Sequence, residues 1–211
     1  MEKSVPVRSA IPPLQGQKQG LAVEVASFPI VGIGASAGGL ETFEQFFHAC
    51  PADSGMAFVL VLHLSPHVES RLAEILQRST TMPVITALDQ LAVEADHVYV
   101  IPPNREMSIF NGVLQLSVPE QGHRRGNTIN VFLRSLADDK AEAAIGIIFS
   151  GTLSDGTLGL GAIHDAGGIC MVQDPSTAKW DEMPRSAITA GYATNILPVV
   201  EMPSMLMKLT R

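Results

Sequence analysis

The sequence has little of what marks several large classes of protein. Its 211 residues include only two cysteines, Cys50 and Cys170, too few for a zinc cluster of their own or a disulfide scaffold. Lys and Arg number 14 against 21 Asp and Glu, and this net charge of −7 argues against a general DNA or RNA binder. The apolar runs are short and interrupted, and the N-terminus lacks the apolar run of a secretory signal. These absences predict a cytoplasmic protein that does not insert into a membrane.

The composition indicates one globular domain. Hydrophobic residues make up 46% of the chain, which is enough for a sizeable core and too many for a disordered protein. Residues 1–27 are rich in Pro, Gln, Gly and Ser and have no clear periodicity, so they are predicted to be a flexible leader. The folded domain is predicted to span residues 28–211.

Continuous apolar segments alternate with amphipathic ones along this domain. Such segments are typical of strands buried on both faces of a parallel sheet, with helices between them. Asn111-Gly112, between two alternating segments, predicts a β-hairpin near residues 106–118. We therefore expect a three-layer α/β fold with a doubly wound, mostly parallel sheet. Ligands would bind at the carboxyl ends of its strands. Strands are predicted near residues 28–36, 56–64, 84–87, 97–101, 143–150, 167–173 and 195–198, and helices near 39–49, 69–78, 128–137 and 157–166, after 184 and from 203.

The turn after the first strand reads GIGASAGG over residues 32–39 and fits two functional patterns. One is the G-x-G-x-x-A fingerprint of dinucleotide-binding proteins. The other is G-x-S-x-G, in which Ser36 would be a nucleophile between a strand and a helix. A third interpretation is a tight turn in which the serine only caps the helix.

The end of the second strand favours the nucleophile. A dinucleotide site needs an acidic residue there to bind the ribose, and this strand ends in His63 instead. An imidazole at the same sheet edge as Ser36 could take the proton of the hydroxyl, which is nearly inert without a base. A buried histidine with only a structural role is the alternative. The other histidines lie at less suitable positions.

An acid should orient that imidazole and stabilise its cation. Asp155 follows the apolar strand at 143–150, at the predicted carboxyl edge, although an acid there can also be a simple helix cap. Asp165 and Asp181 are weaker alternatives. Asp174 ends a later strand and competes with Asp155 on position alone.

Five separated motifs then resemble one family. They are PIVGIGASAGG, LHLSP, HVYVIPPN, IGIIFSGTLSDGTLG and VQDPSTAKWDEMPRSAI, in that order along the chain. Together they are similar to the catalytic domain of the chemotaxis protein-glutamate methylesterases, the CheB type. The resemblance covers residues 28–211 and is closest to versions fused to, or encoded with, a chemotaxis methyltransferase.

The resemblance implies a catalytic triad of Ser36, His63 and Asp155. It implies hydrolysis of glutamate methyl esters on the cytoplasmic helices of chemoreceptors with release of methanol, and related members also deamidate receptor glutamine. No metal or organic cofactor is implied. A chemotaxis methyltransferase is a further expected partner.

The resemblance and the general triad mechanism also suggest which residues surround the triad. The oxyanion would bind backbone N–H groups, that of Ala37 and a second from the turn near Thr152. Met183 and Arg185 belong to the family's loop beside the cleft and are expected to bind substrate, although Arg185 is equally explained as a solvated residue at a helix start. The glycines of the first turn are expected to let a substrate helix approach closely.

Three features depart from the family pattern, and the first two, at Leu153 and Asn130, motivate an alternative function. Leu153 stands where glycine is common, and it would be strained if that position needs a positive φ. Asn130 stands where an acid is common, which is expected to alter substrate contacts. Only 27 residues precede the fold, so no receiver domain is expected in this chain. The alternative is a binding module on the same fold with weak or no catalysis.

Overall fold

A computed structural model describes residues 28–62, 71–119 and 127–210. The predicted leader, residues 1–27, lies outside the described residues, and so does His63. Within the described part the chain forms ten strands and six α-helices. The strands are β1 (Ile30–Ala35), β2 (Ala57–Leu62), β3 (Val84–Thr86), β4 (Leu91–Ala92), β5 (Val98–Val100), β6 (Glu106–Phe110), β7 (Val113–Ser117), β8 (Ala144–Ile148), β9 (Ile169–Gln173) and β10 (Asn195–Leu197). The helices are α1 (Gly39–Ala49), α2 (Leu72–Leu76), α3 (Thr128–Lys140), α4 (Thr157–Asp165), α5 (Glu182–Thr189) and α6 (Met202–Leu209).

Seven strands form one parallel sheet in the order β10-β9-β8-β1-β2-β5-β3. Every residue of β1, β2, β5 and β8 is buried, which explains why these segments are apolar throughout rather than alternating. Helices α1, α2 and α6 pack together, and α3, α4 and α5 form a second packed group. The predicted three-layer α/β fold is confirmed.

The sheet changes winding direction between β1 and β8. From β1 the chain continues through α1 to β2 on one side, whereas from β8 it continues through α4 to β9 on the other. The two strands are in register from Ile30↔Ala144 to Gly34↔Ile148. A crevice outside the carboxyl ends of such a strand pair is the usual ligand site of doubly wound sheets.

The predicted hairpin is confirmed as β6 and β7. Asn111 and Gly112 both have positive φ, 50° and 71°, as the two central residues of a type I′ turn require. Strand β4 pairs with β7 and completes a three-stranded antiparallel sheet. This two-residue strand was not predicted from the sequence. This sheet is tied to α3, because the Ile109 N–H donates to the Ser135 hydroxyl at 3.0 Å.

Close packing of α3 on β1 explains two glycines of the first strand. A Cβ on Gly34 would lie 2.4 Å from Cγ2 of Ile129, and one on Gly32 would lie 2.7 Å from Cδ2 of Leu133. Both distances are far below normal van der Waals contact, so any larger residue would push α3 away from the sheet. None of the helices in the described ranges is long and apolar enough to cross a membrane.

Candidate functional site

The turn that carries Ser36 begins where β1 ends, at Ala35. Its backbone is fixed on both sides, since the Ser36 N–H donates to the Ser150 carbonyl at 3.1 Å and the Ser36 carbonyl accepts from the Gly39 N–H at 2.9 Å. Gly38 precedes α1 with φ +77°, a conformation that a side chain would strain. The strand, the turn and the helix therefore present residue 36 at the carboxyl edge of the sheet, next to the end of β8.

The segment after β8 lies directly against this turn. A Cβ on Gly151 would be 2.9 Å from Cβ of Ser36, so the glycine backbone touches the serine side chain. The backbone from Gly151 to Asp155 then leads to the start of α4 at Thr157. In the part of the chain that is described, neither the Ala37 N–H nor the Thr152 N–H donates a hydrogen bond to another protein group.

Asp155 is 6% exposed, and backbone donors surround its carboxylate. Oδ2 accepts from the Ile129 N–H at 3.0 Å, while Oδ1 accepts from the N–H groups of Asn130 at 3.1 Å and Gly156 at 2.8 Å. Ile129 and Asn130 lie in the first turn of α3, whose partial positive charge favours an anion there. These contacts fix the position of a buried carboxylate at the same sheet edge as Ser36.

The competing aspartates have other roles. Asp174 caps the short helical turn Pro175–Thr177, where its Oδ1 accepts from the N–H and the hydroxyl of Ser176, both at 2.8 Å. These two hydrogen bonds lower the pKa of Asp174. Asp165 is exposed beside His164, and Asp181 pairs with Arg185. Of the four aspartates, Asp155 is the one in the segment that touches Ser36.

The residue that precedes His63 in the chain lies beside the residue that precedes Ser36. Leu62, the last residue of β2, pairs with Ala35, the last residue of β1. The two strands thus end at the same level, one residue before His63 and one residue before Ser36. The three histidines in the described residues have local contacts instead: the rings of His48 and His97 bond the carbonyls of Glu44 and Ala95, and His164 pairs with Asp165.

The two residues expected to bind substrate differ in accessibility. Met183 is 0% exposed, and its sulfur would lie 2.1 Å from a Cβ placed on Gly151. Its N–H also donates to the Gly151 carbonyl at 3.1 Å. The Met183 side chain thus packs beneath the Gly151 backbone, and its contact with substrate stays a prediction. Arg185 is exposed and forms an ion pair with Asp181.

The first-turn glycines also have internal roles. Gly34 makes room for Ile129, and Gly38 faces the Ser150 hydroxyl, which would be 3.0 Å from a Cβ there. A Cβ on Gly39 would lie 2.8 Å from Cβ of Ala35. The expectation that these glycines admit a substrate helix is corrected, since protein atoms already occupy the space next to each of them.

The two departures at Leu153 and Asn130 have different structural consequences. Leu153 has φ +66° and is 72% exposed, so the positive φ expected at this position is present and the leucine adopts it. Asn130 is buried, and its Oδ1 accepts from the Gly159 N–H at 2.7 Å while its Nδ2 donates to Asn127 at 3.1 Å. Its side chain joins α3 to α4, so the expected change in substrate contacts does not arise from it directly.

Three further residues support the site and were not predicted from the sequence. Ser150 bonds the Ser36 turn, Gln173 accepts from the Ser150 N–H at 2.8 Å, and Glu182 accepts from the Leu153 N–H at 2.7 Å. The position of Ser150 at the carboxyl end of the strand next to β1 was the only available signal. Nothing in the local sequence indicates the contacts of Gln173 and Glu182.

The sequence profile of the family described as CheB methylesterase matches residues 31–206. The structure is similar to the crystal structure of the Thermotoga maritima CheB methylesterase catalytic domain, with a TM-score of 0.80 and 28% identity. That similarity covers 87% of this chain and 99% of the T. maritima domain.

Individual relatives differ in length. A Leptospira interrogans protein described as a putative protein-glutamate methylesterase/protein-glutamine glutaminase is 28% identical over 87% of this chain and 95% of its own length. A Chromohalobacter salexigens protein-glutamate methylesterase/protein-glutamine glutaminase is 30% identical over 93% of this chain, which spans 56% of that relative. A Rhodobacter capsulatus protein described as an uncharacterized 104.1 kDa protein is 40% identical over 61% of this chain, and the match spans 13% of its length.

The profile match over most of the chain agrees with the shared fold and with the resemblance predicted from the five motifs. On these grounds, the chain belongs to the CheB methylesterase family.

Proposed function

We propose that this chain is a serine hydrolase that removes methyl esters from glutamate side chains of chemoreceptors, with Ser36, His63 and Asp155 as its triad. The observation that carries the proposal is the position of Ser36 against the Gly151–Asp155 segment at the β1/β8 switch point. The pairing of Ala35 with Leu62 adds support, because it brings the chain positions of the proposed nucleophile and base to neighbouring strand ends.

The reaction follows from these roles. Oγ of Ser36 attacks the ester carbonyl carbon while His63 accepts the hydroxyl proton, and the carbonyl oxygen becomes an oxyanion. Collapse of this intermediate breaks the bond to the methoxy oxygen, which takes the proton from His63 and leaves as methanol. Water then attacks the acyl-enzyme with His63 as base and releases the glutamate carboxylate and Ser36. The same steps on a glutamine amide release ammonia.

Asp155 holds the His63 imidazole in one tautomer and stabilises its cation. Its hydrogen bonds to Ile129, Asn130 and Gly156 suit this role, since a carboxylate fixed by backbone donors cannot turn away from its partner. The N–H groups of Ala37 and Thr152 would bind the oxyanion. Each such donor is worth on the order of 10²–10³ in rate.

The proposed partners are the methylated cytoplasmic helices of chemoreceptors and, given the family context, a chemotaxis methyltransferase, and the proposed location is the cytoplasm. Arg185 is the proposed contact for acidic residues of the receptor helix. It would have to exchange its ion pair with Asp181 for that contact, and an exposed exchange of this kind changes binding by less than about 1 kcal/mol.

The test is methanol release from a purified, methylated receptor, with wild-type protein compared with Ser36→Ala. Loss of release in the variant is expected, and unchanged release would show that Ser36 is not the nucleophile. Labelling by a serine-reactive phosphonate distinguishes the alternative function, because a binding module without catalysis would leave Ser36 unlabelled. A folded wild-type protein that neither releases methanol nor takes the label would refute the proposal.

A further inference from the structure

Ser150 combines complete burial with bonds to two separate segments of the site. It is 0% exposed and follows β8 by two residues. Its carbonyl accepts from the Ser36 N–H at 3.1 Å, and its hydroxyl donates to the Ala37 carbonyl at 3.0 Å. One residue thus binds the backbone on both sides of the Ser36–Ala37 peptide bond.

The second segment is the one that contains Trp180. The Ser150 hydroxyl accepts from the Trp180 N–H at 3.0 Å, and the neighbouring Gly151 N–H donates to the Trp180 carbonyl at 2.9 Å. The indole is 45% exposed, and its Cδ1 would be 3.4 Å from a Cβ on Gly38. Trp180 therefore lies beside the Ser36 turn with both of its backbone groups bonded to residues 150 and 151.

The Ser150 backbone is itself fixed from β9. Its N–H donates to Oε1 of Gln173 at 2.8 Å, and Nε2 of Gln173 donates to the Thr177 carbonyl at 3.2 Å. Gln173 is buried as well. Every polar group of Ser150 is therefore paired, and the pairs connect β9, the Ser36 turn and the Trp180 segment.

From this geometry we infer that Ser150 is a positioning residue, whose hydroxyl sets the orientation of the Ser36–Ala37 peptide by joining it to the Trp180 segment. The Ala37 N–H belongs to that peptide, and the Ala37 carbonyl begins the next one. Without the hydroxyl, the Ala37 carbonyl and the Trp180 N–H both lose their partner. The bonds of the Ser36 N–H to the Ser150 carbonyl and of the Gly39 N–H to the Ser36 carbonyl remain, so the backbone from Ser36 to Gly38 loses one of its restraints and can shift. The inference rests on the proposed function for its main measurement.

The experiment compares Ser150→Ala, Ser150→Thr and wild type in methanol release from methylated receptor. Ser150→Ala is expected to lower kcat by roughly tenfold to a hundredfold with KM changed less than threefold, since displacements of about 1 Å have such effects on oriented groups. Ser150→Thr keeps the hydroxyl and is expected to retain most of kcat. If Ser150→Ala does not fold, Ser150→Cys replaces it, because a thiol is a weak donor and the same loss is expected.

Two further measurements separate positioning from general stability. Thr194→Val is the matched control, because the Thr194 hydroxyl also donates to a backbone carbonyl, that of Cys170, at 2.7 Å. Cys170 lies on β9, away from the strand end that Ser36 follows. This variant is expected to lower the free energy of unfolding without lowering kcat. Trp180 is the only tryptophan of the chain, so a red shift of its emission in Ser150→Ala would report the loosened segment directly.

The outcomes are separable from those of the proposed function. If wild type releases no methanol but takes the phosphonate label, the Ser150 inference is read from the rate of labelling of Ser36. If wild type does neither, the proposed function fails, and the Ser150 inference is read from Trp180 emission. A folded Ser150→Ala or Ser150→Cys protein with kcat within twofold of wild type would overturn the inference. So would an equal loss of kcat in Thr194→Val.

Discussion

The carboxylate of Glu182 accepts a hydrogen bond from the backbone N–H of Leu153 at 2.7 Å, and Leu153 has a left-handed backbone with φ +66°. A non-glycine residue in this region costs roughly 1–2 kcal/mol. The hydrogen bond offsets part of that cost and holds the segment between Gly151 and Asp155, on which the proposed oxyanion donor and acid both lie. The leucine is thus tolerated because a residue 29 positions later binds its amide.

The first prediction tests this coupling. Glu182→Ala is expected to lower kcat for methanol release about tenfold, because the Leu153 backbone can then relax and displace Thr152. In a Leu153→Gly background the same change is expected to have little effect, since glycine adopts a positive φ without strain. The measurement is a double-mutant cycle on kcat with Asp181→Ala as control, and additive effects would contradict the coupling.

The second prediction concerns the acid. Asp155→Asn is expected to lower kcat by roughly 10⁴, on the precedent of triads that lose their carboxylate. Asp174→Asn serves as the matched control, and its effect on kcat is expected to be less than threefold because Asp174 only caps Pro175–Thr177. A larger loss in Asp174→Asn than in Asp155→Asn would reverse the assignment.

The third prediction concerns the packing of α3 on β1. Gly34→Ala is expected to destabilise the fold by about 1–3 kcal/mol, because the added methyl group overlaps Cγ2 of Ile129. Ile129→Ala removes that atom, so the double variant should be less destabilised than the sum of the single changes. Urea unfolding measures all three, and strict additivity would exclude the contact as the cause.

The fourth prediction is a pH dependence of stability. Burial, with a smaller contribution from a nearby aspartate in each case, raises the pKa of the Cys50 and Cys170 thiols from 9.0 to about 12. Since the folded pKa lies above the unfolded one, this contribution to stability is complete below pH 9 and is lost as the pH rises from about 9 to 12.

Cys50→Ala and Cys170→Ala together should therefore show a weaker fall in the free energy of unfolding above pH 9 than wild type. Thiol alkylation of the folded protein at pH 8 should also be slow at both cysteines, because only thiolates react. Rapid alkylation of the native protein would contradict the burial of these thiols.

The sheet, most helices and the positions of Ser36 and Asp155 at strand ends could be predicted from the sequence. These features depend on apolar runs and on which residue follows a strand. Strand β4 could not be predicted from the sequence, because its two residues carry no periodicity, and neither could the extension of α3 to Lys140. The sequence also predicted that the first-turn glycines admit a substrate helix, whereas the space around them is filled by residues distant in sequence. Contacts such as that of Ser150 with Ala37 have no local signature.

That contact has a consequence for biosynthesis. The Ser150 hydroxyl and the Ala37 carbonyl are separated by 113 positions along the chain, so a growing polypeptide carries Ser36 long before the residue that completes the surrounding backbone. The proposed geometry of the site can therefore form only after both halves of the chain have been synthesised and have packed together.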